Sequence, residues 1–275
     1  MPFIDIHTHI GRPFVNSDPL SPEDLLRKMD DCDIEKAVLL PLESPEAGDL
    51  HCSTREAIAA HKAYPDRLIA FCAVDPRSGA ALNRQKLQKV LTEYRDEGCL
   101  GFGEHKPGVP FDHPGSMNIY AVCNELNWPL LYHRSGHINA DDDRFSTFEK
   151  LLREFPHVNF IGHACWWNFI SADPEVSKGY PDGKVIPGGR IDYFFKTYDN
   201  AYGDLSAHSG FNALNRDIEF ARGFVERNKD RLLFGTDYLT PGQETPIIEF
   251  LRSFGMSDEA FAAISEGNAR RLLKL

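Results

Sequence analysis

His7 and His9 close the run Phe3-Ile4-Asp5-Ile6-His7-Thr8-His9, two residues apart. Alternate residues of a strand share a face, so the two imidazoles point into one space. Neutral imidazoles aimed together are the beginning of a borderline-metal site, with zinc the usual occupant. A lone His-x-His is weak evidence, but other strand-like runs here end in the residue types such a metal needs. Trp128-Pro-Leu-Leu-Tyr-His133 and Val158-Asn-Phe-Ile-Gly-His163 end in histidine. Arg231-Leu-Leu-Phe-Gly-Thr-Asp237 and Cys99-Leu-Gly-Phe-Gly-Glu104 end in a carboxylate. A catalytic divalent ion needs about three or four protein donors and one open position. His7, His9 and His133 supply nitrogen, and Asp237 a carboxylate that can both ligate and take a proton.

The elements that must position these residues read as a regular alternation. Strands are expected at Phe3–His7, Ala37–Pro41, Leu68–Val74, Leu100–Glu104, Leu130–His133, Val158–Gly162, Ala201–Ser206 and Leu232–Thr236. Helices are expected between them at Ser21–Asp31, Thr54–Lys62, Ala80–Asp96, Met117–Leu126, Arg144–Phe155, Ile191–Lys196 and Leu214–Asn228. Two more helical stretches, Thr245–Phe254 and Asp258–Leu273, close the chain. Ser21 suits an N-cap and Pro22 the first helical turn. Eight strands alternating with helices imply a (β/α)8 TIM barrel over one domain, residues 1–275, with its site where the strands end. The irregular stretch Trp166–Gly189 follows the sixth strand, on that same face, and reads as a substrate loop.

Composition narrows the function classes. A net charge of −11 argues against a nucleic-acid or anionic-membrane surface. No apolar segment approaches the ~20 residues of a membrane-spanning helix, and no basic, apolar leader opens the chain. The six cysteines form no Cys-x-x-Cys, which is consistent with free thiols in a reducing cytoplasm. His51, His61, His113 and His157 sit in polar surroundings and read as solvated. Assembly into a homo-oligomer is left open.

Asp5-Ile-His7-Thr-His9, His133, His163 and Gly235-Thr-Asp237 together resemble the amidohydrolase superfamily. The closest likeness is to its amidohydrolase-related branch of metal-dependent hydrolases, lactonases and aminocarboxymuconate-semialdehyde decarboxylase-like enzymes. The closing stretch Ile264-Ser-Glu-Gly-Asn268-Ala-Arg-Arg-Leu-Leu273 is similar to that branch's last helix. The resemblance covers the whole chain and implies a metal-dependent barrel enzyme without fixing its substrate. It also implies a bridging carboxylate on the fourth strand in two-metal members, and Glu104 stands there. If Glu104 bridges, one ion takes His7, His9 and Asp237 and the other His133 and His163. If it does not, a single ion takes His7, His9, His133 and Asp237, and His163 becomes a general acid or base. An ion pair with Lys106 at the barrel mouth is the alternative for Glu104.

The expected reaction is attack of water, activated by a divalent ion, on a lactone, ester or amide of a small anionic or sugar-derived substrate. Zinc is the first choice of cofactor, with Mn, Fe or Co acceptable to the same donors, at one or two ions per chain. Nonoxidative decarboxylation of an aromatic or enol acid is the alternative on the same site. A barrel that only binds a metabolite is a third reading, disfavoured by the full ligand set. Asp237 takes the water proton, and His163 stabilises the developing oxyanion charge or protonates the leaving group. Lys106, Arg134, His137, Trp166 and Arg216 are candidate substrate contacts, because an anionic substrate needs cations beside it. Arg12 and Arg190 also follow strands and are weaker candidates.

Overall fold

β1 (Phe3–Thr8) pairs in parallel with β2 (Ile34–Leu39), and β2 with β3 (Leu68–Ala70). β4 (Phe102–His105), β5 (Pro129–Arg134), β6 (Asn159–Ala164), β7 (Ala201–Asp204) and β8 (Leu232–Leu233) form a second parallel sheet in that order. This computed structural model describes residues 1–49 and 52–275, so His51 lies outside the described residues. Single bridges join the two sheets on both sides. The Cys72 N–H donates to Gly101 O at 3.0 Å between β3 and β4. On the other side the Ile6 N–H donates to Phe234 O at 3.1 Å, and the Asp237 N–H to His7 O at 2.8 Å. The result is a parallel barrel wrapped by helices.

The helices are α1 (Pro22–Asp31), α2 (Thr54–Ala63), α3 (Arg84–Asp96), α4 (Pro114–Leu126) and α5 (Ser146–Glu154). They continue as α6 (Arg190–Thr197), α7 (Ala207–Asn215), α8 (Ile218–Asn228), α9 (Ile247–Ser253), α10 (Asp258–Ala262) and α11 (Asn268–Leu273). α1 starts as its sequence foretells: Ser21 Oγ accepts the Asp24 N–H while the Asp24 carboxylate accepts the Ser21 N–H. The expected helix Leu214–Asn228 is two helices. Asp217 breaks it, because its side chain accepts the Phe220 N–H and caps α8. The expected terminal helix Asp258–Leu273 carries a wide π turn at Ala263–Gly267. There the Ile264 carbonyl accepts the Phe234 N–H at 3.1 Å, drawn toward the end of β8.

Two apolar layers divide the core. Ile4, Ile6, Val38, Ile69, Leu131, Ile161, Tyr202 and Leu233 fill the barrel, and Leu272 and Leu273 of α11 belong to the same cluster. The layer between sheet and helices includes Phe102, Tyr132, Phe160, Trp166 and Trp167. Leu131 and His133, like Ile161 and His163, alternate in step, so the strand face that fills the barrel also delivers the histidines to its mouth. β1 departs from strict alternation, since Ile6 belongs to the interior cluster and yet His7 faces the site. Its register against β2 shifts between Asp5 and Thr8. Asp5 Oδ1 accepts the His7 N–H at 3.0 Å across that bulge.

Candidate metal centre

His7 and His9 leave the bulged end of β1 with their Nε2 atoms 3.1 Å apart. Asp237, just beyond β8, places Oδ1 3.3 Å from His7 Nε2 and 3.2 Å from His9 Nε2. Glu104, on β4, reaches in between the remaining ligands. Its Oε2 lies 3.7 Å from His9 Nε2 and 4.0 Å from His7 Nε2. Its Oε1 lies 2.7 Å from His133 Nδ1 and 4.0 Å from His163 Nε2. Four imidazoles and two carboxylates thus converge at the carboxyl ends of β1, β4, β5, β6 and β8. His7, His9, Glu104 and His163 are buried, and the partly exposed Asp237 and His133 mark the open side.

The donor set fits a cation. His9 Nδ1 lies 2.7 Å from the Leu40 carbonyl, an acceptor only, so the proton sits on Nδ1 and the Nε2 lone pair is free. His7 Nδ1 lies 2.6 Å from Asp204 Oδ2, which likewise leaves its Nε2 bare. Two lone pairs and a carboxylate oxygen therefore meet within 3.1–3.3 Å with no proton among them. Such an arrangement is repulsive until a positive charge enters it. Ligand atoms of His7, His9 and Glu104 lie within 4.8 Å of one another, as do those of Glu104, His133 and His163, and those of His7, His163 and Asp237.

Both carboxylates are held ionised, while the imidazoles divide. Burial works to raise the Asp237 carboxyl, but His7, His9 and His163 outweigh it and hold it at about 2. Glu104 is also held well below the usual carboxylate range, where burial is overcome by the Lys106 charge and the hydrogen bond from His133. Burial pushes His133 down to about 4 despite Glu104. His163 moves the other way: burial opposes it, but Asp204, Asp237 and Glu104 raise it.

The candidate substrate contacts scatter. Lys106 is half-buried beside Glu104 and makes no ion pair among the described residues. His137 is exposed in the loop after β5. Arg134 alternates away from His133 and lies over the Phe145 ring at 5.9 Å. Trp166 belongs to the outer layer, its ring packed where a Cβ on Gly162 would stand, so it backs the barrel wall. The Arg216 side chain is covered, with Nη1 3.9 Å from Glu175 of the long insert. Arg12 bonds the Ser17 carbonyl and Arg190 the Glu149 carboxylate. His61 bonds the Leu68 carbonyl, and His113 caps α4.

The sequence reading passed over Asp204 and Ser206. Asp204 Oδ2 lies 3.1 Å from His163 Nδ1 as well as 2.6 Å from His7 Nδ1. Ser206 Oγ donates to the same oxygen at 2.6 Å. The signal was present, because Ala201-Tyr-Gly-Asp204 is another strand run ending in a carboxylate.

A family profile described as amidohydrolase matches residues 4–275. No curated protein matches. Among solved structures, an uncharacterized TIM-barrel protein from Bordetella bronchiseptica superposes with a TM-score of 0.70 at 18% identity, covering 100% of this chain and 99% of that one. A probable 2-pyrone-4,6-dicarboxylic acid hydrolase from Acinetobacter baumannii, with citric acid bound, gives 0.67 at 13%, covering 100% of both chains. A dihydroxybenzoic acid decarboxylase from Polaromonas sp. JS666, with manganese and 2-nitroresorcinol bound, gives 0.61 at 16%, covering 100% and 97%. At these identities the superpositions establish a shared fold, and the profile match over nearly every residue establishes kinship: this chain belongs to the amidohydrolase family.

Proposed function

We propose that this protein is a metal-dependent hydrolase that opens a lactone, ester or amide bond in a small anionic substrate. The observation that carries the proposal is Glu104, whose two oxygens face two separate pairs of imidazoles. His7, His9 and Asp237 would hold one divalent ion, and Glu104 would join it to a second held by His133 and His163. Zinc is the first candidate for a set of imidazoles and carboxylates. When bound, such an ion lowers the pKa of water toward ~7 and polarises a carbonyl.

The chain's own groups supply the rest. Asp237, ionised at neutral pH and partly exposed, takes the proton from the attacking water. With a single ion bound, His163 stays off the metal, keeps its Nδ1–H, takes a second proton on Nε2 and gives that one to the leaving group, in keeping with its raised pKa. Lys106, free of an ion pair among the described residues, meets a substrate carboxylate. Its charge sits close enough to hold Glu104 ionised. Free and mostly buried cysteines fit a reducing cytoplasm as the compartment.

Decarboxylation of an aromatic or enol acid is the second reading, favoured by the likeness to the manganese-bearing decarboxylase. The test is to strip the protein with a chelator, reload it with zinc or manganese, and assay lactones, esters and amides beside hydroxybenzoic acids. Metal-dependent hydrolysis is the expected result. Release of carbon dioxide with no ester, lactone or amide turnover overturns it in favour of the second reading, and turnover indifferent to chelation overturns both.

A further inference from the structure

Asp204 is fully buried at the end of β7, and its carboxylate is turned toward Ser206, His7 and His163. Three hydrogen bonds and a close approach of a second imidazole converge on its carboxylate. Oδ1 accepts the Ser206 N–H at 2.8 Å. Oδ2 faces the Ser206 hydroxyl at 2.6 Å, His7 Nδ1 at 2.6 Å and His163 Nδ1 at 3.1 Å. Ser206 Oγ stands 3.1 Å from each of those two ring nitrogens, so each Nδ1–H has a second acceptor. A carboxylate only accepts, so His7 carries its proton on Nδ1; the Ser206 hydroxyl spends its proton on Asp204 and so accepts from His163, which carries its proton on Nδ1 as well. Both Nε2 atoms then face the cage as lone pairs.

The surroundings are built to hold Asp204 in this place. The Trp167 indole N–H donates to the Asp204 backbone carbonyl at 2.6 Å from behind. A Cβ on Gly235 would stand 2.6 Å from Asp204 Oδ1 and 3.2 Å from His7 Cβ, so only glycine leaves the carboxylate room. His7 and His163 come from strands far apart in sequence, and their rings sit 4.4 Å apart across this one carboxylate.

We propose that Asp204 is the positioning residue of the metal centre: with Ser206 it locks His7 and His163 in the Nδ1-protonated form and aims both Nε2 atoms at the cage. This rests on the reading that the imidazoles hold a metal. Partners of this kind fix ligand orientation and basicity, and their loss typically weakens metal binding about 10- to 100-fold. Asparagine cannot replace the carboxylate. With its carbonyl on the Ser206 N–H, its amide would point donors at both Nδ1 atoms and drive the protons to Nε2.

Two measurements test the lock, neither of them activity. The first is the Mn²⁺ dissociation constant of the full chain, read from free Mn²⁺ by electron paramagnetic resonance. Asp204→Asn is expected to weaken it about 10- to 100-fold and Ser206→Ala by less. The second is the nitrogen-15 spectrum of the metal-free protein. Two Nδ1–H signals protected from exchange are expected, identified by their loss in His7→Gln and His163→Gln, and both absent in Asp204→Asn. An unchanged Mn²⁺ constant in Asp204→Asn overturns the proposal, even if that variant melts at a lower temperature. If Asp204→Asn does not fold, absence of the two protected signals from the wild type overturns it equally. A wild type that shows both signals and binds no Mn²⁺ overturns the metal reading instead.

Discussion

Glu104 is the residue on which the ion count turns. One oxygen serves the His7/His9 side and the other the His133/His163 side, so a bridging role needs both oxygens of the ionised carboxylate. Glu104→Gln is therefore expected to cut turnover far more than Lys106→Met. It should also lower bound metal from about two ions per chain toward one, counted by elemental analysis. The ion of the His133/His163 side leaves first, because His7, His9 and Asp237 still give the other three donors. A wild type holding one ion, unchanged in Glu104→Gln, sinks the two-ion reading. His163 then stands beside a single ion as an acid, and the decarboxylase reading gains.

The loops that rim the barrel are tied to one another at the level of elements. Arg77, after β3, grips Glu46 of the loop after β2 with both Nη atoms, at 2.6 and 2.8 Å, and also bonds Asp75. A Cβ on Gly108, after β4, would meet Glu46 Oε1 at 2.8 Å, so a third loop packs on the same clamp. The hydrogen bonds from Arg77 hold the Glu46 carboxyl down at about 2, from its ordinary 4.5. A depressed folded-state pKa adds stability that is present above the unfolded value and lost as pH falls through the folded one. Wild-type stability should thus decline between pH 4.5 and about 2. Arg77→Gln should flatten that decline, by about 1 kcal/mol once solvent screening of this surface-facing group is allowed for. Urea melts across that range read the difference, and parallel curves for the two proteins refute the clamp.

At the scale of the whole molecule, the barrel must close between its first and last strands, and β8 is only two residues long. Asp5 supplies what the short ladder lacks. Its carboxylate accepts the Thr236 N–H at 3.0 Å and the Thr236 hydroxyl at 2.6 Å, besides the His7 N–H. Burial pushes this carboxyl up to about 7 against those hydrogen bonds. Asp5→Ala leaves buried donors unpaired on both sides of the seam and should cost about 3 kcal/mol in chemical denaturation. Asp5→Asn, which keeps an acceptor, should cost less. Equal, small losses in both variants would show that the backbone bonds of the seam suffice.

The sequence by itself determined the strand–helix alternation and the residues at the strand ends, because both follow from local rules. Apolar runs of strand length stop at polar residues, and alternation carries Leu131 to His133 and Ile161 to His163 on one face. Capping at Ser21 is equally local. What lay beyond it was set by distances between strands remote in the chain. The bulge that turns His7 inward needs β2 beside β1 and an Asp5 already engaged with Thr236. Asp204 looked like one more strand-end carboxylate until folding brought His7 and His163 to its two sides. Trp166 and Arg134 illustrate the converse. Their residue types suit a substrate site, but a 3-10 turn after β6 packs Trp166 into the layer under the helices, and strand parity turns Arg134 onto Phe145. A sequence fixes which groups a strand delivers to its end, whereas their partners are chosen by which strands become neighbours around the barrel.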